Sequence, residues 1–344
     1  MNNTSILVIY TGGTIGMKQD PEDLTLKPFN FEQIVEEVPE LRKFGCRIDS
    51  YTFDPIIDSS DVDADFWRRL AGIIEEKYDG YDGFVVLHGT DTMSYSASML
   101  SFMLENLEKP VIFTGSQLPI GVPRTDGKEN LISAIEIACA KDSDGNAMVP
   151  EVCIFFDSAL MRGNRTTKYS AEEFKAFVSP NYPTLAEAGI NIKYHLPFIY
   201  GHGERGKKLV VHKKLDPSAA IIKIYPGITS AILENALKMP GLRGIVLETF
   251  GSGNAPSGEW FIKSIREASE KGLVIVNVTQ CMTGSVNMGV YATGMGLKCA
   301  GVANGHDSTT ESAITKLFFL MGQYSDNHIV RQQFEINLRG EISK

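Results

Sequence analysis

The N-terminal segment reads Ser5-Ile-Leu-Val-Ile-Tyr10 and then breaks into Thr11-Gly-Gly-Thr14. This pattern, an apolar run that ends in small or hydroxyl-bearing residues, returns at two later places: Gly83–Leu87 before His88-Gly-Thr-Asp-Thr92, and Val111–Phe113 before Thr114-Gly-Ser-Gln117. A continuous apolar run is typical of a strand that is buried on both faces, as in a parallel sheet. These segments therefore predict the central strands of an α/β fold.

Amphipathic segments alternate with the apolar runs. Asp65–Lys77 places Phe66 and Leu70 on one helical face, with Asp63 or Asp65 as its N-cap. The remaining predicted helices are Thr92–Leu107, Glu129–Ala140, Thr229–Lys238, Glu259–Lys271 and Glu311–Met321, and the remaining predicted strands are Ala220–Ile224, Gly244–Leu247 and Leu273–Val276. Repeated strand, helix and strand predict an α/β protein with mainly parallel sheets.

The chain has 344 residues, and about 150 residues per domain gives two domains. We expect an N-terminal catalytic domain over residues 1–195, a linker over 196–218 and a C-terminal domain over 219–344. The linker begins at Leu196-Pro197 and contains paired lysines on both sides of Leu209–Val211. That pattern predicts a solvated hairpin within the linker.

Composition and charge exclude several classes of partner. The chain carries 33 Lys and Arg against 42 Asp and Glu, a formal net charge of −9. This balance argues against nucleic acid and anionic membranes, because neutralising phosphates takes a clustered positive surface. The 5 cysteines are odd in number and widely spaced, and no secretory signal or membrane-length apolar run is visible. We expect a cytoplasmic protein.

The ends of the first three predicted strands carry the chemistry. Ligands of parallel α/β sheets bind beyond the carboxyl ends of the strands, where this chain places Thr14, Thr90, Asp91 and Gly115. The glycines at 12, 13 and 16 do not match the dinucleotide fingerprint, and no Gly-Lys-Ser/Thr follows to form a phosphate loop. Histidine and cysteine spacings of metal sites are also missing from the sequence, as is the Gly-x-Ser-x-Gly elbow. The set favours acyl transfer by a hydroxyl nucleophile.

A threonine hydroxyl needs a base to remove its proton. Lys168, in the segment that follows the apolar run Val152–Phe156, is the candidate, provided that burial keeps its amine neutral. His88 ends an apolar strand, which fits a hydrogen-bonded core imidazole at least as well as a base. Taken singly, Thr14 and Asp91 would also fit helix caps, and Ser59 and Ser60 would fit turn residues.

Two segments, Thr11-Gly-Gly-Thr-Ile-Gly16 and His88-Gly-Thr-Asp-Thr-Met93, resemble the signatures of bacterial-type L-asparaginases. The likeness covers essentially the whole chain, is strongest for the type I, cytoplasmic branch, and extends through further segments: Asp58-Ser-Ser-Asp61, Thr114-Gly-Ser-Gln117, Arg162-Gly-Asn-Arg-Thr-Thr-Lys168, Tyr225-Pro-Gly227, Gly251-Ser-Gly-Asn-Ala-Pro256 and Thr279-Gln-Cys281. The resemblance implies a larger, doubly wound N-terminal domain and a smaller, flavodoxin-like C-terminal domain.

The resemblance also implies an activity, the hydrolysis of L-asparagine to L-aspartate and ammonia through an acyl-threonine intermediate. Thr14 would be the nucleophile, and Thr90, Asp91 and Lys168 would relay its proton. The substrate would be bound by Asp91 at its α-ammonium group and by other residues at its remaining polar groups: Asp58, Ser59, Ser60 and Gly115. No cofactor or metal is implied, and the protein is expected to be a homodimer or homotetramer.

Two departures from the family pattern stand out. Family members carry a tyrosine on the loop after the first signature, whereas this chain has Leu24 and Thr25 there, and Tyr10 lies within the predicted strand. The type I enzymes that bind asparagine at an activating pocket have an arginine where this chain has Glu248, although Cys281 is kept. An acidic side chain would repel the effector carboxylate, so we expect this regulation to be lost or altered.

Other functions share these residues. A glutaminase-asparaginase needs a pocket longer by only one methylene, which a hydrophobic pocket discriminates by about 10–200-fold. The ammonia-releasing subunit of a transamidation complex shares the core, but it has an added N-terminal domain that we do not expect before Thr11. A non-catalytic amino-acid sensor on the same fold is the alternative outside enzymes.

Overall fold

A computed structural model describes residues 4–19, 26–28, 31–200, 206–289 and 292–343. The chain divides into two compact units. The first comprises Met1–Ser179 with Pro183–His212, and the second comprises Pro180–Tyr182 with Lys213–Lys344. The limits of 195, 196–218 and 219 that the sequence suggests for the domains stay a prediction.

The first unit contains the following elements: β1 (Ser5–Tyr10), β2 (Met17–Gln19), β3 (Leu26–Pro28), α1 (Phe31–Glu37), β4 (Arg47–Thr52), α2 (Ala64–Lys77), β5 (Gly83–Leu87), α3 (Met93–Met103), β6 (Leu104–Glu105), β7 (Val111–Thr114), α4 (Gly127–Cys139), β8 (Val152–Phe156), β9 (Ala159–Arg162), β10 (Thr167–Lys168), β11 (Phe177–Val178), β12 (Ala186–Ala188), β13 (Ile192–Tyr194) and β14 (Val210–Val211).

The main sheet of this unit has the strand order β13-β12-β9-β8-β7-β5-β1-β4. Five neighbouring strands of this sheet are parallel to one another: β8, β7, β5, β1 and β4. Strands β9, β12 and β13 are antiparallel to their neighbours. Strands β1, β5 and β7 are buried along their whole length, as their continuous apolar runs predict. The predicted mainly parallel α/β fold is confirmed.

Helix α2 shows how local sequence sets an element. The Asp63 carboxylate accepts hydrogen bonds from the backbone N–H groups of Asp65 and Phe66, which satisfies two of the free donors at the helix start. The sequence leaves the N-cap open between Asp63 and Asp65, and the structure selects Asp63. Phe66, Trp67 and Leu70 are buried along the face of this helix that packs inward.

The pairing of β6 with β14 makes two sequence predictions wrong. The helix predicted over Thr92–Leu107 ends at Met103, because Leu104–Glu105 forms β6 and pairs with β14. The predicted linker hairpin is replaced by this pairing, in which the His212 imidazole also lies 2.7 Å from the Glu105 carboxylate. A contact between segments more than 100 positions apart leaves no local pattern in the sequence from which it could be predicted.

The second unit is built from the following elements: β15 (Ala219–Lys223), α5 (Ser230–Leu237), β16 (Gly244–Thr249), α6 (Glu259–Glu270), β17 (Val274–Thr279), α7 (Ala292–Cys299), β18 (Ala303–Asn304), α8 (Thr310–Gln323) and α9 (Asn327–Phe334). Its four strands are parallel in the order β15-β16-β17-β18. The buried Lys316 ammonium lies 2.5 Å from the Glu341 carboxylate and also donates to the carbonyls of Phe334 and Ile336. This cation ties the C-terminal segment to α8.

Among the described ranges, no helix is both long enough and apolar enough to cross a bilayer.

Candidate active site

Four loops leave the same edge of the main sheet. Strands β4, β1, β5 and β7 are adjacent and parallel, so the segments that follow them emerge side by side. These segments contain Ser59, Thr14, Thr90 and Gly115, in that order of strands. The fold thus brings to one edge the hydroxyl residues that the sequence singles out.

Glycine allows these loops to touch backbone to backbone. Gly13 has φ 92°, and a Cβ built there would lie 2.6 Å from the Cα of Gly89. A Cβ at Gly89 would lie 2.4 Å from the hydroxyl oxygen of Ser59. A side chain at either position would force the loops apart, and Thr14 and Thr90 each directly follow one of the two glycines. Both threonines therefore flank the same close contact.

Lys168 reaches the second of these loops. Its ammonium donates to the Thr90 hydroxyl at 2.8 Å and to the Asp91 carboxylate at 2.7 Å. The Lys168 side chain is 20% exposed and that of Asp91 is 68% exposed. The hypothesis from the sequence is that burial keeps this amine neutral, whereas the structure has the side chain half-buried and paired with Asp91.

A short strand aims Lys168 at this loop. Thr167 and Lys168 form β10, which pairs with β11 so that Lys168 lies opposite Phe177. Just before β10, the Thr166 hydroxyl donates to the Arg162 carbonyl at 2.7 Å, and the guanidinium of the buried Arg162 contacts the Glu151 carboxylate at 2.7 Å. The buried ion pair fixes the start of the segment that ends at Lys168.

The segment after β4 forms a 3-10 turn over Ser59–Asp61. The Asp58 carboxylate accepts from the backbone N–H of Ser60 at 2.9 Å and from its hydroxyl at 2.7 Å, and these hydrogen bonds lower the pKa of Asp58. Ser59 is buried, and its carbonyl accepts from the Thr92 hydroxyl at 2.7 Å. Asp58 and Ser60 are exposed and pair with each other, so the turn role and a binding role are compatible there.

Gly115 lies beside the second loop, and a Cβ at Gly115 would lie 2.5 Å from the His88 carbonyl oxygen. Asn130 donates to the Gly115 carbonyl at 3.0 Å, and the Asp126 carboxylate accepts from the backbone N–H of Gln117 at 2.9 Å. Sequence reasoning missed Asp126 and Asn130, although an acidic residue just before a predicted helix could have indicated a loop anchor. These two side chains hold the third loop in place.

His88 is a structural imidazole. Its Nδ1 lies 2.7 Å from the Gly89 carbonyl, which can only accept, so this nitrogen carries the proton. Its Nε2 lies 2.9 Å from the Ser96 hydroxyl, which in turn accepts from the Trp67 indole N–H. Burial lowers the pKa of His88 from 6.5 to about 4. Of the two interpretations from sequence, the geometry fits the core imidazole.

We expect His88 to make the protein acid-sensitive. The unfolded state takes up a proton as the pH falls below 6.5, whereas the folded state does not until about pH 4, so the free energy of unfolding drops across this interval by about 3 kcal/mol. Urea unfolding between pH 7 and pH 4 measures the drop, which should shrink by about this amount in His88→Gln. The same substitution at the exposed His328 is the control for a surface histidine, and equal slopes in His88→Gln and wild type would contradict the assignment.

Tyr10 does not close the site. Its side chain is fully buried, and its hydroxyl donates to the Gly16 carbonyl at 2.9 Å beneath the first loop. Burial raises the pKa of Tyr10 well above its usual value. The positions Leu24 and Thr25, where the family tyrosine is expected, lie outside the described residues.

Clusters of three His, Cys, Asp or Glu side chains that could hold a metal ion do not occur in the part of the chain that the structure describes.

Comparisons with known proteins agree with this architecture. L-asparaginase 1 of Escherichia coli (strain K12) is 44% identical over 348 residues, which span 100% of this chain and 99% of that protein. The crystal structure of L-asparaginase I from Vibrio cholerae has a TM-score of 0.90 at 40% identity and covers 99% of this chain and 100% of that chain. A glutamyl-tRNA(Gln) amidotransferase subunit of Pyrococcus horikoshii is 34% identical, over 98% of this chain and 76% of that protein.

Two family models match successive parts of the chain. The model for "Asparaginase, N-terminal" matches residues 5–200, and the model for "Glutaminase/Asparaginase C-terminal domain" matches residues 219–334. Glycine packs the loops at one sheet edge, and Lys168 donates hydrogen bonds to Thr90 and Asp91 of the second signature. Since both domain models also match in order, this chain belongs to the asparaginase family.

Proposed function

We propose that the protein hydrolyses L-asparagine to L-aspartate and ammonia, with Thr14 as nucleophile and an acyl-enzyme intermediate. The observation that carries the proposal is the contact of Lys168 with Thr90 and Asp91, one residue away from the approach of Gly13 to Gly89. That arrangement supplies two hydroxyls, an amine and a carboxylate beside one another, which is what proton transfer to and from a hydroxyl nucleophile requires. No cofactor or metal takes part in the proposed reaction.

The proposed reaction has two steps. The Thr14 oxygen attacks the side-chain amide carbon, the carbon–nitrogen bond breaks, and the nitrogen leaves as ammonia with the proton that the threonine loses. Water then attacks the acyl-threonine ester, which releases aspartate and restores the hydroxyl. Backbone N–H groups near Thr90 and Gly115 are proposed to stabilise the oxyanion in both steps.

We assign substrate recognition to the residues around this pair. Asp91, with its largely exposed carboxylate, binds the α-ammonium group of asparagine. Ser59 and Ser60 bind the α-carboxylate, and Asp58 holds their turn in shape. Once Asp91 binds the substrate cation, the Lys168 ammonium gives one proton to solvent, and the neutral amine then accepts the Thr14 proton through the Thr90 hydroxyl and returns it to the leaving ammonia.

The test is ammonia release from asparagine and from glutamine by the purified protein, measured side by side. Turnover of asparagine with a kcat/KM at least about 10-fold above that of glutamine is expected, since one methylene is worth about 10–200-fold. A higher kcat/KM for glutamine would favour the glutaminase alternative. Binding of asparagine without ammonia release would favour the amino-acid sensor and overturn the proposal.

The transamidation alternative has weaker support. The amidotransferase subunit of P. horikoshii is 34% identical and this chain covers 76% of it, whereas the E. coli L-asparaginase 1 is 44% identical and is covered to 99%. Ammonia release from free asparagine, measured with no added RNA or partner subunit, would favour the asparaginase function over the transamidation function.

The oligomeric state and the cellular location are also part of the proposed function. We propose a homodimer or homotetramer, which sedimentation at several concentrations would measure. A cytoplasmic location is supported by cysteine usage, since the 5 cysteines are odd in number and widely spaced in the sequence.

We expect the rate to depend hyperbolically on asparagine concentration, with a Hill coefficient of about 1. Glu248 replaces the arginine of the activating pocket, and its carboxylate is only 15% exposed and accepts from the Thr310 hydroxyl at 2.6 Å. The Lys223 ammonium lies 3.8 Å from this carboxylate but is largely exposed and therefore screened, so the negative charge of Glu248 repels a carboxylate effector. Initial rates measure the curve, and a sigmoidal curve that turns hyperbolic in Cys281→Ala would contradict the prediction.

A further inference from the structure

We propose that Cys46 and Cys139 are a site of reversible disulfide formation with low-molecular-weight disulfides such as oxidised glutathione. Their sulfur atoms lie 2.8 Å apart although the residues are 93 positions apart in the chain. Both are free thiols, and both are half-buried, so a small oxidant can reach them. A disulfide bond is about 2.05 Å long, so the sulfurs need to close a gap of about 0.8 Å.

Regular structure holds both cysteines in register. Cys139 is the last residue of α4, which packs against β5 and β7. Cys46 directly precedes β4, where the backbone N–H of Arg47 donates to the Thr4 carbonyl at 2.8 Å. The fold itself brings the two sulfurs together.

The surroundings assign the order of attack. The Cys139 S–H donates to the Cys46 sulfur. Burial, together with the Cys46 neighbour and Asp82, raises the pKa of Cys139, and only the Lys141 ammonium, itself 2.8 Å from the Asp82 carboxylate, acts in the other direction. A raised pKa lowers the thiolate fraction of Cys139, so the proposal gives Cys139 the role of the resolving thiol.

The exchange conserves atoms and electrons. The Cys46 thiolate attacks one sulfur of the small disulfide, which forms a mixed disulfide and releases one thiolate. Cys139 then loses its proton to solvent and attacks the Cys46 sulfur, which releases the second thiolate. Two protein thiols are oxidised to one disulfide, and one small disulfide is reduced to two thiols.

The bond would stabilise the unit without touching the candidate active site. Cys46 and Cys139 lie at the start of β4 and the end of α4, whereas Ser59 follows the end of β4 and Gly115 precedes the start of α4. A cross-link that closes a loop of this length restricts the unfolded chain strongly, so the thermal midpoint should rise by about 5–10 °C. Ammonia release from asparagine should stay within about twofold.

The experiment incubates the full chain with oxidised glutathione and compares it with the same protein after dithiothreitol. We expect the loss of two of the 5 thiols, a peptide that joins Cys46 to Cys139 in a non-reducing digest, and the higher midpoint. Cys46→Ser and Cys139→Ser should each lose the midpoint rise, and the exposed control Cys299→Ser should keep it.

Mixed disulfides on separate cysteines without the joined peptide would overturn the proposal, as would a midpoint rise that persists in Cys139→Ser. The digest of the wild-type protein decides the matter even if a serine variant fails to fold. Because the readouts are a covalent bond and a midpoint, they are independent of whether asparagine is the substrate.

Discussion

Replacing Thr14 with alanine is expected to lower kcat for asparagine by at least about 10⁴-fold, because the change removes the only atom that forms the proposed acyl bond. Substrate binding should survive, since the groups assigned to bind it lie on other loops: Ser59, Ser60 and Asp91. A KM within about threefold of wild type, or tight binding of asparagine by the inactive variant, would accompany the loss. Steady-state ammonia release and calorimetric titration with asparagine measure the two effects.

Thr14→Ser is the matched variant, because it keeps the hydroxyl and loses only a methyl group. We expect it to recover most of the lost rate and to form the same acyl-enzyme, which rapid quenching and intact mass can trap. Thr14 is half-buried in a 3-10 turn, so both variants should unfold within a few degrees of wild type. Normal turnover in Thr14→Ala would transfer the nucleophile role to another hydroxyl, with Thr90 the first to test.

Local patterns predicted the centre of each sheet well. Continuous apolar runs such as Ser5–Tyr10 and Gly83–Leu87 are strands because a segment buried on both faces has apolar residues at every position. Strand β4 was missed for the opposite reason. It is an edge strand, its residues are exposed or half-buried, and Arg47 and Asp49 interrupt any apolar run.

Long-range pairing was the part of the fold that the sequence could not supply. Strands β6 and β14 each have two residues and exist only because they pair with each other. Helix α9 was also missed, although the Asp326 carboxylate caps it and its buried residues include Val330 and Phe334. Short elements carry too few residues to establish a period.

Part of the candidate site could also be predicted from the sequence, and part could not. Strand ends predicted which residues share an edge, because parallel strands direct their carboxyl ends to one side. The contacts between Lys168 and its partners span 77 and 78 positions and depend on the pairing of β10 with β11. Spacing could nominate Lys168 but could not show which groups it touches. The anchor of the third loop, Asp126, was indicated only by its place just before a predicted helix.

The roles of Thr90 and Lys168 rest on a hydrogen bond whose direction matters. Lysine donates to the Thr90 oxygen at 2.8 Å, which leaves the Thr90 proton free to point elsewhere, and Gln117 Oε1 is 3.5 Å away. A hydroxyl that accepts from an amine and donates weakly is suited to pass a proton between that amine and a substrate.

Lys168→Met is therefore expected to lower kcat for asparagine by about 10²–10⁴-fold, the usual contribution of a positioned acid or base. Methionine keeps the apolar stem and removes the amine, and the exposed Asp91 carboxylate stays hydrated, so the fold should persist. The matched control is Lys175→Met, which removes an exposed positive charge from the loop between β10 and β11 and should stay within about twofold of wild type.

Chemical rescue separates catalysis by the amine from mere support of the loop. Lys168→Ala leaves space where the amine stood, so added methylamine should restore part of the rate in proportion to its concentration, whereas ethane-sized neutral additives should not. The rescued rate should rise with pH as the added amine loses its proton, since only the neutral amine accepts one. A Lys168→Met variant with wild-type kcat, or a Lys168→Ala variant that no amine accelerates, would remove Lys168 from the proton path and leave it as a partner that orients Asp91.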